Sequence, residues 1–281
     1  MIPTSIDGTD ITSATVDGTD VQEITVDGDV VFTALEPFNI AEQNFDTSIN
    51  AQDFSSTGIA WNDDGSRLYE VGVNSDKIYQ YSVSTPFDIT SASFSTAINT
   101  QDNFSSDIVW NDDGSRLYES GRSSNEIYQY TVSTPYDITS ASLSTSISTQ
   151  DSTPTGIRWN DDGSRLYEVG RGSGGDIYQY TVSNAYDITS ASFSTSINAQ
   201  DELATGIAWN NDGSRLYESG ARDDKIYQYS VSTPFDITSA SFSISINSQD
   251  GTPQGIAWND DGSRLYEVAS GSGGDIYQYT G

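Results

Sequence analysis

The tract Trp61-Asn62-Asp63-Asp64-Gly65-Ser66-Arg67-Leu68-Tyr69-Glu70 returns, almost letter for letter, at Trp110, Trp159, Trp209 (with Asn210-Asn211-Asp212) and Trp258. The spacing is 49 or 50 residues. A fixed period of this size marks a repeat architecture in which each copy stacks on the next. All five tryptophans fall in the tract, as do Arg67, Arg116, Arg165, Arg215 and Arg264. The chain is five copies of one module behind a short leader, and its function is to be sought in what the copies do together.

Each module carries four alternating runs rich in aromatic and β-branched residues, the pattern of half-buried strands. In the first copy these are strand a at 57–62, strand b at 67–71, strand c at 77–83 and strand d at 93–98. Asn62-Asp63-Asp64-Gly65-Ser66 has Asp-Gly turn chemistry and joins a to b as a hairpin. Pro86 and the stretch from Asp88 break the chain between c and d. The alternation assigns Ile59, Trp61, Tyr69, Val71, Tyr79, Tyr81, Phe94 and Ile98 to bulky faces. Gly58, Ala60 and Gly72 mark a thin side, with Leu68 and Ile78 as larger exceptions.

The chain ends point to a closed ring. The last copy stops after strand c at Ile276-Tyr277-Gln278-Tyr279-Thr280, and its missing strand stands at the front. There, Asn44-Phe45-Asp46-Thr47-Ser48-Ile49-Asn50 matches Ser192–Asn198. Closure leaves no unpaired edge between first and last copies. The predicted fold is all-β: a five-bladed β-propeller over 37–281, closed by an N-terminal strand and preceded by a short β-rich arm over 1–36. Within the arm, tracts beginning at Ile6, Val16 and Val26 repeat every ten residues around Asp-Gly. A ribbon this small is marginal alone, so the arm is expected to pair with other chains or anchor the protein in an assembly.

Composition removes several chemistries. Without Cys or His, the chain has no thiol nucleophile, no disulfide and none of the commonest metal-binding and general-base side chains. No apolar stretch is long enough to span a bilayer, and Met1–Asp7 lacks signal-peptide character. Export is therefore expected by assembly into a particle. Forty-one acidic against eleven basic residues give a net charge of −30, which argues against nucleic acid as partner. Such charge repels itself in dilute buffer and is screened at molar salt. Low Lys with excess Asp reads as adaptation to high salt.

The blade motif Gly58–Tyr69, followed by Ile78-Tyr79-Gln80-Tyr81-Ser82-Val83-Ser84-Thr85-Pro86-Phe87-Asp88-Ile89, resembles propeller repeats of tailed-phage and prophage tail or fibre proteins. The leader tract Val16–Val31 is similar to N-terminal segments of virion proteins from haloarchaeal tailed viruses. In blade count and repeat identity the chain also resembles five-bladed lectins of the tachylectin type, without a shared sugar-binding motif. The resemblance implies a virion surface protein in contact with a host surface glycan or S-layer glycoprotein, with other virion proteins and further copies of itself as partners.

Glycosidases place different carboxylates around one asymmetric pocket. Here Glu70, Glu119, Glu168, Glu218 and Glu267 are copies of one residue, as are Asp53, Asp102, Asp151, Asp201 and Asp250. The expectation is no enzyme. The Asn-Asp-Asp-Gly-Ser loops are too short to supply a calcium shell and read as turns, so no metal or cofactor is expected. Replacing Asp63, Asp112 and Asp161 there is expected to cost stability. Tyr79 and Tyr81 fit core packing better than sugar stacking.

Divergence is uneven. The a–b and c–d loops are constant, whereas the b–c loops (73–76, 122–125, 171–175, 221–224, 270–274) and the d–a loops vary. Outside the repeated arginines the cations are Lys77, Arg122, Arg158, Arg171, Arg222 and Lys225. Five lie in or beside b–c loops, and Arg158 stands on a strand entering from that face. Together with Asn74 and Asn125 they are the candidate ligand-binding residues, suited to an anionic partner. Ordinary drift of turn loops accounts for the same bias.

Overall fold

A computed structural model describes residues 36–281 apart from 173, 272 and 273, together with the backbone of four short strands before them. Those strands pair as Ser5–Ile6 with Thr9–Asp10, flanking Asp7-Gly8, and Glu23–Val26 with Asp29–Thr33, flanking Asp27-Gly28. The tract at Val16 lies outside the described residues.

The rest is a ring of five four-stranded antiparallel blades, each in the order a-b-c-d. Blade 1 comprises Ser56–Trp61, Arg67–Gly72, Lys77–Val83 and Ala92–Asn99. Blades 2, 3 and 4 repeat the pattern from Ser105, Pro154 and Ala204. Blade 5 has strands Pro253–Trp258, Arg264–Ala269 and Asp275–Thr280, and its outer strand is Asn44–Asn50 from the front of the chain. Tyr279 faces Phe45 and Ile276 faces Ile49 across that pairing. The five-bladed ring closed by an N-terminal strand is the architecture. Among the described residues no helix is long and apolar enough to cross a membrane.

The closing segment supplies more than a strand. Residues 37–43 form the c–d connection that the last module lacks: Phe38 takes the positive φ of Phe87 (59° and 60°), and Asn39 caps a one-turn 3-10 helix as Asp88 does. Ile40, fully buried, donates its N–H to Gln228 of blade 4 at 3.1 Å, as Ile138 donates to Gln80 at 3.2 Å. Each such latch joins one blade to the next.

The repeated arginines are latches too. Arg67 Nη1 donates to the Tyr136 carbonyl of blade 2 at 2.6 Å, beside the Tyr69 hydroxyl on the same oxygen. Arg264 closes the cycle onto Phe87 of blade 1 at 2.7 Å. Around the tract, each tryptophan lies between rings. Trp61 is 5.4 Å from Phe87 of its own blade and 4.9 Å from Tyr266 of blade 5. The turn glycine is required: Gly65 has φ 68°, and a Cβ there would sit 2.4 Å from the Phe87 ring.

Two packing expectations are corrected. The a–b register pairs Ala60 with Tyr69 and Trp61 with Leu68, so Tyr69 and Val71 lie on the face of Ala60, whereas Leu68 joins Ile59 and Trp61. Both faces are therefore bulky and buried: Tyr69, Val71 and Ile78 pack against Ile108, Trp110 and Leu117 of blade 2. Leu68 and Ile78 are core residues, not exceptions on a thin side. Alternation within a strand fixes relative faces, but the hairpin register decides which phases meet. Phe94, assigned to the bulky face, is 50% exposed, on the outermost strand of its blade.

Candidate functional site

The variable loops hang from two buried carboxylates per blade. Glu70, with no exposed surface, accepts the N–H groups of Gln52 (3.0 Å) and Asp53 (2.9 Å) and the Tyr81 hydroxyl. Asp53 then accepts from Ser55 N (2.9 Å), Asn74 N (3.2 Å) and Ser75 N (3.0 Å). The pair gathers the d–a and b–c loops of its blade, so the acids stay constant while the loops change. Burial pushes the carboxyls of Glu218 and Glu267 up to about 7.

The candidate residues on this face separate into distinct environments. Lys77 and Lys225 open strand c opposite Gly72 and Gly220, half-buried. Asn74 is exposed on its loop. Asn125 has φ 57°, and its side-chain nitrogen donates to the carbonyls of Ser152 (2.7 Å) and Arg122 (3.1 Å), a link from blade 2 to the loop entering blade 3. Arg222 is ion-paired with Glu202. Arg122 and Arg171 stand apart from these. The Arg122 guanidinium lies 4.9 Å above the Phe104 ring. Arg171 reaches from blade 3 to Gln254 Oε1 of blade 5 at 3.2 Å. Burial and then the charge of Arg122 pull the Arg171 guanidinium down to about 10. Among the described residues neither has a carboxylate within salt-bridge distance.

Arg158 is misassigned by sequence order. It occupies the position of Ala60, Val109, Ala208 and Ala257 on the innermost strand and lines a cavity on the constant a–b face. Its Nε donates to the Ile207 carbonyl (3.0 Å) and its Nη2 to the Ile256 carbonyl (2.9 Å), so the side chain crosses the ring axis. Beneath it, Asp107 replaces the glycine of the other blades and accepts the Ile157 N–H at 3.0 Å. Burial raises the Asp107 carboxyl to about 6, and the Arg158 charge opposes that rise. At this level the glycines of neighbouring blades nearly touch: a Cβ on Gly255 would lie 2.9 Å from the Gly58 Cα. The throat is closed.

Above the throat lies an axial cavity of about 200 Å³. The turn reading of its loops holds for one of the two aspartates. Asp64 accepts from Ser66 N (2.9 Å) and Asn62 Nδ2 (2.8 Å), and the serine contacts hold its carboxyl below the usual range. The first aspartate instead lines the cavity, giving a ring of Asp63, Asp112, Asp161, Asn211 and Asp260. Burial, reinforced by neighbouring carboxylates, raises all four acids, Asp161 to about 6. Among the described residues no three acidic groups are arranged to hold a metal ion. Asp63, Asp112 and Asp161 stand exposed at the mouth of the cavity, the first two held by the hydroxyls of Tyr136 and Tyr186 of the next blade, and the turn itself is closed by Asn62 and Asp64. The signal in the sequence was Asn211, the one departure in the ring. The five indoles line the same cavity, and their N–H groups are buried without a partner.

Comparison with known proteins supports the propeller. A family model described as Lactonase, 7-bladed beta-propeller, matches residues 54–185, two blades and three strands of the third. No curated protein matches. Among solved structures, the chain is similar to the Cps50 (Swd1) beta-propeller domain of Myceliophteria thermophila, at 11% identity and TM-score 0.53 over 85% of this chain and 99% of that one. It is also similar to a putative 6-phosphogluconolactonase from Bacteroides uniformis, at 14% identity and TM-score 0.51 over 75% of this chain and 62% of that one. A functionally unknown protein from Desulfotomaculum acetoxidans matches at 16% identity and TM-score 0.49, over 76% of this chain and 65% of that one. The chain thus spans less than two thirds of the length of two of these proteins. At such identities the likeness concerns the fold.

Proposed function

We propose that the protein is a non-enzymatic recognition propeller on the surface of a virus particle in a high-salt habitat. Its b–c face holds an anionic host surface glycan or glycoprotein, and residues 1–36 join it to other virion proteins and to further copies of itself. The observation that supports this reading best is the Arg122–Arg171 pair. On a chain of net charge −30, two neighbouring guanidiniums that form no salt bridge among the described residues, although the Asp201 charge acts on Arg171, form a positive site on the face whose loops diverge. At molar salt, long-range attraction is screened within a few ångströms, so close charge-assisted hydrogen bonds of this kind have to carry the affinity.

The test is a glycan array bearing uronic-acid and sulfated oligosaccharides, probed in molar KCl with the full chain. Replacing Arg122 and Arg171 together by Ser abolishes binding on this reading and leaves the melt intact, whereas Arg222→Ser, whose charge Glu202 balances, binds as the parent does. Equal binding by all three proteins removes the recognition role and leaves a structural decoration or tail subunit. The lactonase-family match favours a second reading, hydrolysis of a lactone in the axial cavity beside Asp161 and Arg158. Turnover of δ-lactones above the buffer rate, lost in Asp161→Asn, would establish it.

A further inference from the structure

Charge is spread unevenly over the blades. Charged residues make up 19% of the chain, yet the outer strands Ala92–Asn99, Ala141–Ser148, Ala191–Asn198 and Ala240–Asn247 contain none. The fifth, Asn44–Asn50, contains one, Asp46, whose carboxylate accepts from Gln278 Nε2 at 2.8 Å. Each of these strands is last in its sheet, with no further strand on its outer edge among the described residues. Together they form the side wall of the ring. The same place in each carries a large apolar side chain, Phe45, Phe94, Leu143, Phe193 or Phe242, and all five are 47–50% exposed. An open outer strand is ordinarily defended by charge or by proline. On this chain of net charge −30, the wall is where that defence is missing.

We infer that the wall is the surface through which copies of this chain pack side by side. Copies of charge −30 repel one another, and at 1 M salt the repulsion still reaches about 3 Å. Two copies meeting loop to loop set carboxylate against carboxylate within that range. Two copies meeting wall to wall do not, and the half-exposed rings supply the apolar anchors of the contact. Every outer strand is irregular opposite its Gln–Tyr step, as between Gln80 and Tyr81. A bulge of this kind interrupts a ladder, so the copies meet through side chains and do not continue one another's sheets. A strand of eight residues is about 26 Å long on a blade edge about 10 Å thick, well short of the ~800 Å² per partner in a stable pair. One wall contact is therefore weak, and five walls around one ring favour a lateral array held by many such contacts. This surface is separate from the contact proposed for residues 1–36.

Sedimentation velocity of the full chain over a range of protein concentrations, at about 0.5 and 3 M KCl, tests the inference. The expected result is reversible self-association that strengthens at the higher salt. Replacing Phe94, Phe193 and Phe242 together by Ser weakens it about tenfold, as loss of one half-exposed ring per contact requires. Replacing the same three by Asp abolishes it. Both variants keep a cooperative melt, since the three rings lie on outer strands and are half-exposed. A full chain that stays monomeric at both salts overturns the inference, and so does association that is stronger at the lower salt. Association that is unchanged in either triple variant also overturns it, and leaves residues 1–36 as the contact between copies. Glycan binding at the Arg122–Arg171 pair is independent of each of these outcomes.

Discussion

Ile40→Ala probes whether the front of the chain is an integral part of the ring. Ile40 has no exposed surface and packs with Ala208, Tyr217 and Ile226 of blade 4 and Ile256 and Leu265 of blade 5. Its N–H is held by Gln228, and the neighbouring Phe38 carbonyl accepts the Tyr217 hydroxyl. Truncating a fully buried isoleucine removes transfer energy and leaves a cavity, at about 2–5 kcal/mol. Ile138 stands in the same environment inside the continuous chain, equally buried. If closure is as tight as the other interfaces, Ile40→Ala and Ile138→Ala cost the same. At about 3 kcal/mol each, the melting temperature falls by roughly 6–12 °C in a domain of this size. Urea unfolding at fixed molar salt, followed by tryptophan emission, measures both. An Ile40→Ala cost below about 1 kcal/mol, beside a full cost for Ile138→Ala, would refute the reasoning and show the closing segment leaving the ring before the blades unfold.

Removing residues 1–35 leaves a cooperative propeller, whereas removing 1–50 exposes the Asp275–Thr280 edge and lowers the melt sharply; equal melts for the two truncations exclude Asn44–Asn50 as the closing strand. Asp161→Asn relieves repulsion in the axial ring and raises the melting temperature at low salt, with a smaller gain at molar salt; a fall in the melt shows that the ring acids do not oppose folding. Raised carboxyls favour the folded state when protonated, so Glu218 and Glu267 contribute stability that is full below their ordinary value near 4.5 and lost as pH rises toward about 7. The melt should therefore climb as pH falls from 8 to 5.5, with a shallower slope in Glu267→Gln, and a flat profile contradicts the burial account. Gly114→Ala, at φ 67° and with a Cβ 2.4 Å from the Tyr136 ring, costs roughly 1–3 kcal/mol by denaturant unfolding; a neutral result means that the ring yields.

The sequence by itself determined the period, the strand pattern, the Asp-Gly hairpins and the identity of the closing strand. These depend on interactions a few residues long, or on repetition, and repetition makes a displaced strand such as Asn44–Asn50 recognisable by comparison with its siblings. It also located the variable face, since divergence between copies is visible in one chain. Tertiary structure decided the rest. Tyr69 faces Ala60 rather than Trp61 because hairpin register, not alternation, sets which phases meet across strands. Asp63 and Asp64 are adjacent and chemically alike, yet one lines the axis and the other closes a turn. Arg158 belongs to the cavity floor and not to the variable face, since an innermost strand runs the full depth of the ring. In each case the deciding quantity is distance from the axis. That distance arises when five blades close on one another, and no single module encodes it.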